Sequence, residues 1–186
     1  KFCTTDIYIR WWFNLLLSKI MIHVININNQ IKLFKKQLIK ECIKSRTNHN
    51  KFGARNYLVN SKYNKKLYKI LIKHCNKCLN KFTIKDTDFK IWCYFSDKNF
   101  NEGNWHNHIN TSTINAVIYL KIPNDNLGID FKINNVIKNY KPKSGDLVIF
   151  PDYLDHYPYP SYDKPRIALN LEIKCNENSR EIFKIS

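Results

Sequence analysis

Lys143-Ser144-Gly145-Asp146-Leu147-Val148-Ile149-Phe150-Pro151-Asp152-Tyr153-Leu154-Asp155-His156 is the stretch on which the architecture turns. Gly145-Asp146 supplies a tight turn into an apolar run that reads as a buried strand. Pro151 cannot donate to a ladder and ends that strand. A short bend then brings the chain to His156, at the start of an extended Tyr157-Pro158-Tyr159-Pro160 segment. In isolation His156 reads equally well as a capping or surface residue, so its meaning depends on what else the fold brings to it.

On both sides of this stretch the texture is β. After residue 85, the runs 89–95, 106–110, 115–122, 128–133, 146–150 and 166–173 are short, apolar or alternating, and separated by turn residues. Before it the period is helical. Residues 31–45 carry apolar positions at 31, 33–34, 38–39 and 42–43 with a lysine-rich outer face, and residues 63–82 repeat the pattern. Residues 47–62, with Gly53, are polar and read as a loop. Helices followed by six or more strands predict a mostly β, α+β domain: a sheet or barrel backed by helices, not a parallel α/β fold.

Two further clusters carry chemistry. Trp105-His106-Asn107-His108 places two histidines two apart, so an extended backbone turns both imidazoles to one face and Asn107 to the other. Trp105 reads as packing. In the last strand, Arg166-Ile167-Ala168-Leu169-Asn170, parity puts Arg166, Ala168 and Asn170 on one face and Ile167 and Leu169 on the other. An arginine on a barrel-facing position is costly without an anion, and a bidentate carboxylate fits its planar fork. The competing reading is a rim arginine paired with Asp155 or Asp163. Opposite the His106/His108 pair, His156 would complete a three-histidine face with positions open for substrate and oxygen, the arrangement a redox metal requires.

Taken together, these segments resemble the 2-oxoglutarate and Fe(II)-dependent oxygenase superfamily, and most of all the oxygenases common in phage and marine microbial genomes. The resemblance runs through His-x-His, then residues 112–123, then Gly145-Asp146 to His156, then Arg166 to Asn170, and covers roughly residues 89–173. It implies a double-stranded β-helix core of jelly-roll or cupin type, buttressed by two or three N-terminal helices. It implies Fe(II), 2-oxoglutarate and O2 as cofactor and cosubstrates, with His156 as the distal metal ligand and Arg166 on the far carboxylate of 2-oxoglutarate. By the same analogy Tyr119 or Tyr94 adds a hydroxyl to that carboxylate, and Asn170 belongs to the cosubstrate face. One departure stands out. The superfamily's first motif is His-x-Asp or His-x-Glu, whereas His106 is followed by Asn107 and His108. Either His108 takes the carboxylate's place, or one of the pair binds alone, with Asn110 in the acidic slot if that one is His108.

Three functions therefore compete: a 2-oxoglutarate-dependent hydroxylase, a three-histidine cupin-type dioxygenase that needs no 2-oxoglutarate, and a non-catalytic basic binding module. The chain of 186 residues carries 31 Lys+Arg against 15 Asp+Glu, a net charge of +16. Such an excess can mark a nucleic-acid partner. Here nearly all the cations are lysines scattered among asparagines, with no arginine stripe, as AT-rich coding produces. The prime substrate, whether protein, nucleic acid or small molecule, has no code in loops 96–104 and 123–127.

Four Gly, six Pro and 44% hydrophobic residues describe a folded chain with one core. The six cysteines are sparse and several sit in apolar periodic segments, so a reducing compartment is expected, the cytoplasm of a microbe or of a virus-infected cell. Cys75-Asn76-Lys77-Cys78, behind His74, lacks the second pair a zinc site needs. Residues 7–20 are apolar but interrupted by Arg10, Asn14 and Lys19, which excludes a membrane span. Met21 is the only methionine and the text from there reads as an ordinary start. Residues 1–20 are thus expected to be upstream sequence or an extension outside the core. Residues 21–186 are expected to form one domain, helical over 31–85 and β over 86–175.

Overall fold

The structure is a computed structural model that describes residues 22–48, 56–58, 61–97, 103–123, 127–161 and 164–184. The expectation for residues 1–20 lies outside them. Two long helices, α1 (Asn28–Asn48) and α2 (Asn64–Cys78), are interleaved with β1 (His23–Asn26) and the short β2 (Asn56–Leu58). Then come β3 (Ile84–Ser96), β4 (Ile114–Lys121), β5 (Ile129–Ile133), β6 (Val136–Tyr140), β7 (Asp146–Pro151), β8 (His156–Pro158), β9 (Arg166–Cys175) and a single turn of helix, α3 (Ser179–Ile182). A six-stranded sheet runs β1-β7-β4-β9-β3-β2 and a three-stranded sheet runs β6-β5-β8. The strand pairs are antiparallel throughout.

The larger sheet is apolar on both faces, and alternation assigns each face a different task. Ile91, Cys93, Phe95, Ile114, Ala116, Ile118, Leu120, Leu147, Ile149, Ile167, Leu169 and Leu171 pack in one buried cluster with Ile31, Phe34, Leu38 and Cys42 of α1 and Leu67, Ile70, Leu71 and Cys75 of α2. The helical residues recur at three- and four-residue intervals, the stripe an amphipathic helix presents. The other face belongs to a second cluster, where Val117, Tyr119, Val148, Phe150 and Ala168 meet Ile129 and Phe131 of the smaller sheet. Arg166, Asn170 and Glu172 share the parity of Ala168, so the polar residues of β9 point between the sheets.

The Gly145-Asp146 turn is built as its sequence suggests. Gly145 has φ 96, accepts from Ile27 N–H at 2.8 Å, and lies so close to Asn28 that a Cβ would come 2.5 Å from Asn28 Cβ. The Asp146 carboxylate accepts from Tyr140 Oη at 2.6 Å, Lys143 N–H at 2.8 Å and Asn26 Nδ2 at 3.0 Å.

Two expectations are corrected and one strand was not foreseen. Residues 47–62 are not all loop, because Asn56–Leu58 pairs with Trp92–Tyr94 at the sheet edge; three residues are too few to show a period. Residues 106–110 are not a strand. Only His106 pairs, in one bridge to His156, and the chain then turns through Asn110 at φ 74. Val136–Tyr140 is an unforeseen strand, joined to β5 by Asn134 and Asn135 at φ 48 and 62, a two-residue hairpin of the I′ kind. Among the described residues two N-terminal helices precede β3, and the third helix is C-terminal.

Candidate metal centre and anion subsite

Main-chain bonds set the three histidines before any metal is considered. His106 and His156 form a reciprocal bridge, His106 N–H to His156 O at 3.1 Å and His156 N–H to His106 O at 2.9 Å. His108 N–H donates to Asp152 O at 2.8 Å, tying the bend after Pro151 to the histidine segment. One ring nitrogen of each of His106, His108 and His156 then lies within 4.8 Å of one from each of the others. Asn107 faces away, donating to Asp155 Oδ1 at 2.8 Å. Asn110 is exposed in the following turn and does not line the site.

The outer nitrogen of each ring is already engaged. Nδ1 of His106 meets Asn104 O at 3.1 Å, Nδ1 of His156 meets Leu154 O at 3.0 Å, and Nδ1 of His108 meets Glu172 Oε1 at 2.6 Å. Carbonyl oxygens only accept, so Nδ1 of His106 and of His156 is the donor and their Nε2 keeps its lone pair; the His108–Glu172 contact is an ion-pair distance outside hydrogen-bond geometry.

Burial favours the neutral form of His156 and of His106. The pKa of His156 is lowered to about 3 by burial first, then by His106 and His108, against the opposing pull of the Leu154 carbonyl. His106 is also lowered, again chiefly by burial. The consequence for stability has a definite sign. Unfolded, His156 protonates near its ordinary 6.5; folded, it resists down to about 3. Between those values the unfolded chain holds the extra proton, so stability falls with falling pH, by up to about 1.4 kcal/mol per pH unit. Urea titration of metal-free protein at pH 7 and pH 5 should show this loss. His156→Gln should flatten it, and an equal slope in that variant contradicts the assignment.

The histidines open onto a cavity of about 280 Å³, whose lining also includes Trp92, Tyr94, Tyr119, Arg166 and Asn170. Arg166 is only 2% exposed. Its Nη1 donates to Gly128 O at 2.9 Å and to Tyr159 O, while Nε is buried with no acceptor in hydrogen-bond geometry. Tyr119 and Tyr94 place their rings 5.3 and 5.8 Å from the guanidinium carbon. Burial pushes the Tyr119 hydroxyl up to about 12, with Arg166 beside it pulling the other way, so it remains a donor. No carboxylate forms an ion pair with Arg166 among the described residues. Asp155 serves Asn107, and Asp163 lies outside those residues. A buried guanidinium with no carboxylate partner among the described residues makes this end of the cavity a candidate anion subsite.

Every cavity residue named from the sequence is therefore gathered here: His106, His108, His156, Arg166, Tyr94, Tyr119 and Asn170. Glu172 was missed. The signal existed, since parity from Arg166 runs through Ala168 and Asn170 to Glu172, an acid 3% exposed inside a β strand. Trp105 is exposed, with its ring 5.8 Å from that of Tyr157. Burial raises the Cys75 thiol strongly and pushes Cys78 up to about 11, so little thiolate forms at neutral pH. The five described cysteines are all free. No helix among the described residues is long and apolar enough to cross a membrane.

No protein-family model and no curated protein sequence matches the chain. Solved structures do. A prolyl-4-hydroxylase from Pseudomonas putida has TM-score 0.64 at 15% identity, over 84% of this chain and 93% of its own. The viral collagen prolyl hydroxylase of Paramecium Bursaria Chlorella virus-1 gives 0.61 at 15% identity, over 84% and 90%; it has also been solved as a 2-oxoglutarate complex, which gives 0.55. A prolyl hydroxylase solved with a hypoxia inducible factor peptide fragment from Trichoplax adhaerens gives 0.55 at 16% identity, over 89% and 92%. At such identities the likeness establishes a shared fold, and function has to be argued from the site.

Proposed function

We propose that this chain is an Fe(II)- and 2-oxoglutarate-dependent dioxygenase that hydroxylates its substrate. The observation carrying the reading is that one cavity holds both a three-histidine metal face and a buried, carboxylate-free arginine. The fold it shares with solved hydroxylases, one of them captured with 2-oxoglutarate, supports the same reading.

His106, His108 and His156 would hold the metal through Nε2, leaving the remaining positions to cosubstrate and oxygen. When bound, Fe(II) supplies O2 activation and the oxidising power for hydroxylation, coupled to decarboxylation of 2-oxoglutarate. The protein's share is positioning. Arg166 would take the far carboxylate of 2-oxoglutarate with its planar fork. Tyr119 and Tyr94 would add hydroxyl contacts from strands β4 and β3, and Asn170 would face the same molecule from β9. Val117, Ile129 and Ala168 exclude water from the space between. Gly103 and Asn104, also on the lining, are the described residues of the 96–104 loop positioned to meet the prime substrate.

Anaerobic addition of Fe(II) and 2-oxoglutarate should produce a weak visible charge-transfer band. A folded, iron-loaded sample without the band sinks the reading. A histidine at 108 in place of the usual carboxylate favours one alternative, a three-histidine cupin-type dioxygenase that uses no 2-oxoglutarate. The two diverge at Arg166, which only the first requires.

A further inference from the structure

We propose that Glu172 is the positioning residue for His108, supplying from behind the ring the carboxylate that the His-x-His motif lacks at the metal. The inference rests on the metal reading above and adds the residue that makes a third histidine workable.

His106 and His156 fix their Nδ1–H atoms against main-chain carbonyls within two residues of themselves. His108 has no such local partner for its ring. The turn that follows it uses its carbonyl instead, accepting from Thr111 N–H at 3.0 Å. The Nδ1 of His108 lies 2.6 Å from a side chain 64 positions on in the sequence, Glu172 Oε1, an ion-pair contact outside hydrogen-bond geometry that leaves this oxygen with no hydrogen-bond partner. Without an acceptor at Nδ1, His108 is free to carry its proton on Nε2, and a protonated Nε2 cannot bind a metal.

Glu172 suits that task and shows no other. It is buried on the inward face of β9, and His108 is the one basic group with which it forms an ion-pair contact among the described residues. Its register partner on β4 is Asn115, a buried amide whose Oδ1 accepts from Ser112 Oγ at 2.7 Å. That bond orients the amide and leaves Nδ2 as a buried donor without a partner. A buried carboxylate is costly to maintain for packing alone, whereas a carboxylate behind a metal-ligating histidine both fixes the tautomer and strengthens the ligand.

Two measurements test this. In metal-free protein at pH 8, long-range ¹H–¹⁵N correlation should show His108 protonated at Nδ1 with a bare Nε2; a bare Nδ1 overturns the proposal without any variant. Glu172→Gln keeps the size but lets its amide either accept or donate, so the tautomer should become mixed and Co(II) affinity by calorimetry should fall about 10–100-fold. A variant that keeps the Nδ1–H tautomer, or binds Co(II) as tightly as the parent, overturns the role of Glu172 alone. A parent protein that takes up no Co(II) overturns the metal reading, and this inference falls with it.

Discussion

His156→Ala is expected to remove Fe(II) binding and with it all turnover. Loss of an outer partner of a metal ligand costs about 10–100-fold in affinity, and loss of a ligand must exceed that. Alanine also breaks the geometry more locally than a distant ligand would. His156 is 4% exposed, sits in ring contact with His106 at 4.2 Å and with Phe150 at 4.9 Å, and its removal opens space at the centre of the site. The bridge to His106 is main chain to main chain and should survive, so the variant should fold. Calorimetry with Fe(II) under anaerobic conditions, beside a far-UV spectrum, separates the two effects. A folded His156→Ala protein that still binds iron tightly would remove His156 from the metal set.

Arg166→Met is expected to act in opposite directions on binding and on stability. Deleting one partner of a buried charge contact costs about 2–5 kcal/mol, so the dissociation constant for 2-oxoglutarate should rise from roughly 30-fold to several thousand-fold. The cosubstrate-free protein should be no less stable than the parent. Replacing buried ionic groups by apolar ones of similar volume is often neutral or stabilising by about 1–4 kcal/mol. Here the guanidinium has no carboxylate partner among the described residues to lose. Against this stand two main-chain carbonyls, Gly128 O and Tyr159 O, that would forfeit a donor; carbonyl oxygens tolerate that better than N–H groups do. Thermal melts with and without 2-oxoglutarate read both halves. Undiminished 2-oxoglutarate binding refutes the clamp, while activity retained without 2-oxoglutarate favours the cupin-type alternative.

Much of this site was legible in the sequence because it is written in period two. The parity of Arg166, Ala168 and Asn170 on β9 follows from side-chain alternation alone, whereas Tyr94 and Tyr119 were pointed to by the family resemblance. His156 was readable because Gly145 and Pro151 bracket the strand that precedes it. What the sequence hid depends on contacts between distant segments. Nothing near His108 announces that Glu172 will stand behind it, and the pairing of Asn56–Leu58 with the β3 edge is decided by a neighbour rather than by composition. The His-x-His segment was misread for a related reason. Two histidines at spacing two look like a strand, yet a single reciprocal bridge suffices to turn both rings the same way, and a left-handed Asn110 then releases the chain.

The outward commitment of Nδ1 in His106 and His156 gives the cavity a polarity of its own. These two histidines offer it only lone pairs and can accept but not donate; Arg166, elsewhere on the same lining, can donate but not accept. A dicarboxylate entering alone finds one congenial end and one that repels it. On the proposed function, a cation seated on the histidines would reverse the second, so the metal would fill first and the acid afterwards, with one end of the acid directed to each wall.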